Sequence, residues 1–156
     1  MDRAPVIAYV ALGANLGDAQ AHIQTAFSAL NTLPQTRLLQ RSRLYRSAPH
    51  EASGPDFINA VACLETGLSA PALLKALQQL EEAAGRTRPY RHAPRTLDLD
   101  LLFYGDARID SPQLTLPHPR LYERAFVLLP LADVAPQRVP AVRLAAVRAQ
   151  AITPLD

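Results

Sequence analysis

The sequence contains a single cysteine, Cys63, so a disulfide within the chain is excluded. Cys63 falls in an apolar strand pattern, and we interpret it as a small core residue. A signal-peptide pattern is also missing, because residues 1–5 are short and polar and the apolar run after them stops at Gly13. No stretch approaches the ~20 consecutive apolar residues that cross a membrane. We therefore expect a cytoplasmic protein without a membrane partner.

A strong excess of charge of one sign is absent too. The formal net charge is +2, and the basic side consists of fifteen arginines and one lysine, Lys75. A balance of this size does not indicate nucleic-acid binding, and we expect no nucleic-acid partner. The length of 156 residues and the 49% of hydrophobic residues suffice for a proper core. We expect one domain over residues 1–156, acting as a monomer.

The most informative segment of the chain is GRTRPYRHAPRTLDLDLLFYG, residues 85–105. In its second half, Asp98 and Asp100 interrupt an apolar run. Side chains alternate along a β-strand, so both aspartates share one face and Leu99 lies on the other. Two partly buried carboxylates about 7 Å apart repel each other, and a divalent cation relieves that repulsion. Mg²⁺ takes a few carboxylate oxygens and keeps water or phosphate oxygens as its other ligands.

The first half of the same segment is cationic and resembles a loop because it contains Pro89 and Pro94. Its arginines are Arg86, Arg88, Arg91 and Arg95. A planar guanidinium binds phosphate oxygens bidentately, so the two halves together predict a metal–polyphosphate site. The alternative is a solvated strand that follows an exposed loop, and a short motif alone does not exclude it.

Periodicity and turn signals predict the order of the elements along the chain. They are a strand at 5–12, a helix at 18–33, strands at 36–46 and 57–66, a helix at 69–85 and a strand at 97–104. The glycine stretch 13–18 is interpreted as a turn, because it lacks the lysine and the spacing of known phosphate-binding loops. This βαββαβ order predicts an α+β, ferredoxin-like core with an antiparallel sheet flanked by helices. C-terminal additions follow: short extended pieces at 108–109 and 114–116, a helical turn at 121–124, an apolar segment at 126–131 and a helix at 142–151.

The third predicted strand carries a second kind of chemistry. Phe57 and Asn59 lie two residues apart and therefore share a face, where a ring can stack on a flat heterocycle and an amide can bind its edge. The alternative is that Phe57 is a core residue and Asn59 a polar residue at a strand end. Further along, His118, Arg124 and Phe126 offer two phosphate donors and another ring, although a lone histidine is more often structural.

Five stretches in chain order resemble one family closely. They are AYVALGANLGD, LYRSAP, DFINAVACLET, LEEAAGRTR with HAPRTLDLDLLFYG, and LTLPHPRLYERAFVLLPLADVAP. Together they cover most of the chain and resemble the 6-hydroxymethyl-7,8-dihydropterin pyrophosphokinases of folate biosynthesis. The resemblance implies a kinase-type transferase that moves pyrophosphate from ATP to the pterin hydroxymethyl oxygen and releases AMP. Its partners would be these two small-molecule substrates.

The resemblance also implies roles for individual residues. Two Mg²⁺ ions would be held by Asp98 and Asp100, which would act in catalysis with Arg86 and Arg95. The implied ATP-binding residues are Gln78, Glu81, Arg86, Arg88, Arg95, Leu101, Thr115, His118 and Arg124. The implied pterin-binding residues are Ser47, Ala48, Pro49, Phe57, Asn59 and Phe126. We expect residues 86–95 to order over the bound nucleotide.

Three positions depart from the family pattern. His92 stands where a tryptophan is common, Gln113 where an arginine contacts ATP, and Pro119 where a tyrosine does so. These departures bear on loop closure and ATP affinity. Two other functions fit a ferredoxin-like fold. An RNA-binding module would need stacking aromatics on adjacent central strands, where the first strand offers only Tyr9. A regulatory binding domain without catalysis would leave the paired aspartates unexplained.

Overall fold

The computed structural model describes residues 4–48, 55–84 and 97–155. Its strands are β1 (Val6–Ala14), β2 (Thr36–Arg41), β3 (Tyr45–Ser47), β4 (Phe57–Thr66), β5 (Asp98–Tyr104), β6 (Ile109–Asp110), β7 (Thr115–Leu116) and β8 (Ile152–Pro154). Its helices are α1 (Ala19–Leu30), α2 (Ala70–Ala83), α3 (Ala125–Val134) and α4 (Ala141–Ala146). Short 3₁₀ turns lie at Leu121–Glu123 and Pro136–Arg138.

The main sheet is antiparallel and runs in the order β5–β1–β4–β3–β8, with β2 also paired to β4. β1 is central because its apolar run pairs with β4 on one side and β5 on the other. The order of strands and helices confirms the predicted α+β, ferredoxin-like arrangement. No helix in the described ranges is long and apolar enough to span a membrane.

Both helices of the core unit are capped at their N-termini by a side chain. The Asp18 carboxylate accepts a hydrogen bond from the Ala21 N–H at 3.1 Å. The Ser69 hydroxyl accepts one from the Ala72 N–H at 3.2 Å. Each cap satisfies an N–H that has no partner within the helix, which stabilises the helix start by about 1 kcal/mol.

The sheet has two buried faces, as the alternation along β4 shows. Ile58, Ala60, Ala62 and Leu64 pack with α1 and α2 on what we call the upper face. Val61 and Cys63 pack with α3 on the lower face. Both faces of β4 are apolar because helices cover both of them. Cys63 is buried and free, in agreement with its interpretation as a core residue.

A hydrogen-bonded cluster ties α3 to the sheet through Tyr45 and Asp133. The Tyr45 hydroxyl donates to the Asp133 carboxylate at 2.9 Å, and the Arg43 N–H donates to the same carboxylate at 3.1 Å. Tyr45 is only 2% exposed. Burial, and after it the bond to Asp133, raise the pKa of the Tyr45 hydroxyl, so the phenol keeps its proton at neutral pH.

The structure corrects three predicted elements and adds one strand that was not predicted. The strand expected at 36–46 is divided into β2 and β3 at Ser42, whose hydroxyl accepts from the Val61 N–H at 2.8 Å. The first strand extends to Ala14, beyond its expected end at residue 12. The helix expected at 142–151 is the shorter α4. Gln150 instead accepts from the Ala125 N–H and donates to the Glu123 carbonyl, and the chain continues into β8, which was not predicted.

Candidate active site

The polar residues of the lower face lie in a row across four strands. Strand register places Tyr45 opposite Asn59, Asn59 opposite Gly13, and Gly13 opposite Asp98. In the next row of the lower face, Val61 lies opposite Ala11, and Ala11 lies opposite Asp100. Neighbouring strands are about 4.8 Å apart, so the backbones of Asn59 and Asp98 are separated by about 10 Å. The sheet therefore brings the two predicted chemistries together.

The acidic strand β5 has the two faces that its sequence predicts. Leu99 and Leu101 are 5% and 3% exposed on the upper face, whereas Asp98 and Asp100 are half-buried on the lower face. A third carboxylate, that of Glu81 on α2, is 3% exposed and accepts from the Leu99 N–H at 2.7 Å. This bond fixes the backbone between the two aspartates.

The donor set of β5 suits one kind of metal ion. Within the described ranges, no group of three or more His, Cys, Asp or Glu side chains could enclose a metal. A closed zinc or calcium cage is therefore not formed there by protein side chains. Two half-buried carboxylates on one strand face do fit Mg²⁺, which is bound by one or two carboxylates and completes its shell with water and substrate phosphates.

The aromatic–amide pair on β4 is oriented by a buried hydrogen bond. The Asn59 amide nitrogen donates to the Ser47 hydroxyl at 2.7 Å, and Asn59 is 4% exposed. The amide carbonyl oxygen is consequently the end of Asn59 that faces Gly13. Phe57, two residues away on the same face, is half-buried. The pair thus presents a hydrogen-bond acceptor beside an aromatic ring.

His118 lies at the outer edge of β5 with a defined tautomer. Its backbone N–H donates to the Leu102 carbonyl at 3.0 Å, and its Nδ1 accepts from the Arg120 N–H at 3.2 Å. The ring proton is assigned to Nε2 from this geometry. Burial first, then the nearby Arg124 and Arg120 guanidinium groups, lower the pKa of His118, and the Asp98 carboxylate partly opposes them. A neutral imidazole with an Nε2–H donor results.

Arg124 and Phe126 lie at the start of α3. The Arg124 guanidinium lies 5.4 Å from the centre of the Phe126 ring, and both residues are half-buried. The structure therefore groups a cation and a second aromatic ring on the lower-face side of the sheet, where α3 packs.

The remaining predicted residues are distributed as follows. Gln78 is exposed on α2, Leu101 has its side chain in the upper-face core, Thr115 is half-buried in β7, and Ala48, Gln113 and Pro119 are exposed. Pro49, Arg86, Arg88, His92 and Arg95 lie outside the described residues, as does the segment 86–95 expected to order over the nucleotide.

Sequence reasoning assigned no role to Gly13 and Asn15. Gly13 was placed in a turn, but it belongs to β1, and the turn begins after Ala14. Asn15 is 2% exposed and donates to the Pro55 carbonyl at 3.3 Å. Its Oδ1 has no hydrogen-bond partner in the described part of the chain. The sequence did contain one signal for Gly13, because a glycine that follows directly on a strand pattern often marks a place where a ligand approaches the backbone.

Fold and site together define a ferredoxin-like α+β protein in which one strand, β1, separates a paired-carboxylate strand from an aromatic–amide strand. A family model described as 7,8-dihydro-6-hydroxymethylpterin-pyrophosphokinase (HPPK) matches residues 9–136. The chain belongs to this family of pyrophosphokinases, so the resemblance noted in the sequence is confirmed. The RNA-binding and non-catalytic alternatives are set aside accordingly.

Curated relatives agree with the family match. The chain is 50% identical over 134 residues to the Pseudomonas aeruginosa protein named 2-amino-4-hydroxy-6-hydroxymethyldihydropteridine pyrophosphokinase, covering 85% of this chain and 83% of that one. Proteins of the same name from Haemophilus influenzae and Synechocystis are each 42% identical. The match to the Haemophilus influenzae protein covers 83% of this chain and 82% of that protein. The match to the Synechocystis protein covers 85% of this chain and 68% of that protein.

Solved structures agree on the fold. A Plasmodium falciparum HPPK-DHPS chain matches with a TM-score of 0.70 at 16% identity, over 86% of this chain and 43% of that chain. A second structure of HPPK-DHPS from the same organism matches with a TM-score of 0.70 at 15% identity, over 87% and 41%. The chain thus spans less than half the length of these solved chains, and the likeness concerns the shared fold.

Proposed function

We propose that the protein transfers pyrophosphate from ATP to the hydroxymethyl group of 6-hydroxymethyl-7,8-dihydropterin and releases AMP, a step of folate biosynthesis. Membership of the pyrophosphokinase family carries the proposal. The cross-strand row supports it, because one continuous surface offers an aromatic–amide pair for a heterocycle and a carboxylate pair for a metal–phosphate group.

The reaction forms one bond and breaks one. The hydroxymethyl oxygen attacks the β-phosphorus of ATP, the bond from the β-phosphorus to the oxygen bridging it to the α-phosphorus breaks, and AMP leaves with that oxygen. The hydroxyl proton passes to solvent. Such a transfer depends on positioning and on neutralising charge more than on covalent help from the protein. We assign no side chain as a general base.

On the phosphate side, Asp98 and Asp100 would hold two Mg²⁺ ions. When bound, Mg²⁺ would neutralise charge on the phosphate oxygens of ATP. His118 would donate its Nε2–H to a phosphate oxygen, since its Nδ1 is already occupied by the Arg120 N–H. The Arg124 guanidinium would bind the phosphate oxygens of ATP as a second donor group. Glu81, through its bond to the Leu99 N–H, would act as a positioning residue for the two aspartates.

On the pterin side, Phe57 and Phe126 would stack on the two faces of the ring. The Asn59 carbonyl oxygen would accept an N–H from the edge of the ring, because one amide proton is held by the Ser47 hydroxyl and the oxygen faces Gly13. Ala48 and Pro49 would line the same pocket. This arrangement would aim the hydroxymethyl oxygen toward the phosphates bound on the lower face of β5.

The remaining assignments complete the proposal and come from the family pattern. Arg86, Arg88 and Arg95 would bind the triphosphate, with Arg86 and Arg95 stabilising the transferred group. The other nucleotide contacts would come from Gln78, Glu81, Leu101 and Thr115. We also propose that residues 86–95 order over the nucleotide and that residues 1–156 form one domain, active as a cytoplasmic monomer.

Product analysis tests the reaction. Incubation with ATP, Mg²⁺ and 6-hydroxymethyl-7,8-dihydropterin should give AMP and the pterin diphosphate in equal amounts. Omitting the pterin should abolish AMP formation, which controls for a contaminating hydrolase. ADP with a pterin monophosphate would contradict pyrophosphate transfer while leaving the phosphate site in place. An absence of any nucleotide turnover would contradict the catalytic function itself.

A further inference from the structure

Gly13 is a glycine that the backbone does not require. It lies in β1, paired with Asn59 on one side and with Asp98 on the other. Gly17 and Gly105 have positive φ angles of 59° and 53°, whereas Gly13 has ordinary strand geometry. Glycine in a strand interior is unfavourable, because it loses more conformational freedom on folding than a residue with a side chain.

The packing around Gly13 does not require a glycine either. A Cβ atom built on Gly13 would lie 3.6 Å from the Asn59 Oδ1 and 3.9 Å from the Phe57 Cδ1; apart from its chain neighbours, no other heavy atom of the described residues lies within 4 Å. Both distances are ordinary van der Waals contacts. The described residues therefore leave room for a methyl group at residue 13, and stability alone would favour alanine over glycine there.

The position of that empty volume suggests what occupies it. The missing side chain would project from the lower face, between the Asn59 carbonyl oxygen and Asp98, and beside the Phe57 ring. A flat molecule that stacks on Phe57 and is bound at its edge by Asn59 has to pass over β1 to reach the carboxylates of β5. A methyl group at residue 13 would lie under that molecule.

We propose that Gly13 is a specificity-determining residue, whose missing side chain provides the clearance in which the flat bicyclic heterocycle lies against β1. The inference rests on the proposed function and adds to it a residue that makes contact through its backbone alone. Its prediction is specific: an added methyl group should affect the pterin and spare both the fold and the nucleotide. Strands at which a ligand approaches the backbone closely are known sites for glycine.

The test is the variant Gly13→Ala, with Gly13→Val as a larger step in the same series. Calorimetry with 6-hydroxymethyl-7,8-dihydropterin, in the presence of a non-hydrolysable ATP analogue, should show at least about tenfold weaker pterin binding for Gly13→Ala. The kcat/KM for the pterin should fall about 100-fold, the scale of a ~1 Å misplacement of a reacting group. Binding of the ATP analogue alone, and the thermal midpoint, should stay at or above wild-type values. Gly13→Val should bind the pterin more weakly still.

Gly67→Ala is the control for ligand binding, because it adds a methyl group beyond the far end of β4, where only the Gln35 side chain, 2.8 Å from the added Cβ, has to move. It should bind both ligands as the wild type does. Wild-type pterin affinity in Gly13→Ala would overturn the inference, as would an equal loss for pterin and ATP analogue or a lowered thermal midpoint. In each of these cases, AMP formation by the wild-type protein would still support the proposed function, so the two hypotheses are tested separately.

Discussion

The bond between Tyr45 and Asp133 should contribute measurably to stability, because it joins β3 to α3 across a buried position. The Asp133 carboxylate accepts from the Tyr45 hydroxyl and from the Arg43 N–H. Tyr45 is 2% exposed, and the Asp133 side chain is 24% exposed. Asp133→Ala removes both acceptor interactions and leaves a buried phenol without its carboxylate.

The magnitude follows from these contacts. An unsatisfied buried donor costs about 1–3 kcal/mol, so we expect Asp133→Ala to lower the free energy of unfolding by about 2 kcal/mol. Tyr45→Phe removes the donor itself and should cost about 1 kcal/mol, the net value of an ordinary hydrogen bond. The double variant should cost less than the sum of the two, with a coupling energy of about 1 kcal/mol.

Urea unfolding followed by circular dichroism measures these energies. With a denaturant slope of about 2 kcal/mol/M, the midpoint of Asp133→Ala should fall by about 1 M. Arg37→Ala is a suitable comparison, because it removes an exposed ion pair with Glu65, which contributes little. If the two single effects at Tyr45 and Asp133 simply added, the bond between them would carry no stability and the reasoning would be refuted.

Three further outcomes are expected at the site. Asp98→Asn and Asp100→Asn should each remove several kcal/mol of transition-state stabilisation while urea midpoints stay unchanged; near-normal turnover in Mg²⁺ would rule out the metal assignment. Phe57→Ala should weaken pterin binding by about 1–3 kcal/mol and spare an ATP analogue, and equal losses in calorimetry would make Phe57 a core residue. The pKa of His118 is lowered on folding, so its contribution to stability is present above its ordinary pKa and is lost as pH falls through the lowered value. The urea midpoint of His118→Gln should therefore fall less between pH 7 and pH 5, and parallel profiles would contradict this.

Alternation along the strands was sufficient to predict which side chains of the candidate site share a face of the sheet. In β4 and β5, every second residue is apolar on the upper face, so Phe57 and Asn59 were placed on one surface and Asp98 and Asp100 on another. A pairing register then decides whether two such surfaces meet. In the structure β1 lies between β4 and β5, and the register aligns Asn59 with Asp98 across Gly13.

The features that sequence reasoning missed depend on contacts between distant residues. The break at Ser42 arises because its hydroxyl and its N–H both bond to Val61, which no local pattern reveals. β8 forms because the Gln150 side chain bonds to Ala125 and Glu123, 25 and 27 residues earlier. The tautomer of His118 similarly depends on a backbone N–H two residues on, whose direction follows from the turn and not from the residue types.

The bonds at the outer side of β5 have a consequence for the behaviour of the protein in concentrated solution. Among the described strands β5 lies at the edge of the sheet, and exposed N–H and C=O groups on an edge allow strands from other molecules to pair there. The Glu81 carboxylate takes the Leu99 N–H, and the His118 N–H takes the Leu102 carbonyl. The contacts that hold the acidic strand in place thus also occupy two of its outer hydrogen-bonding groups, which disfavours β-pairing with another molecule at this strand.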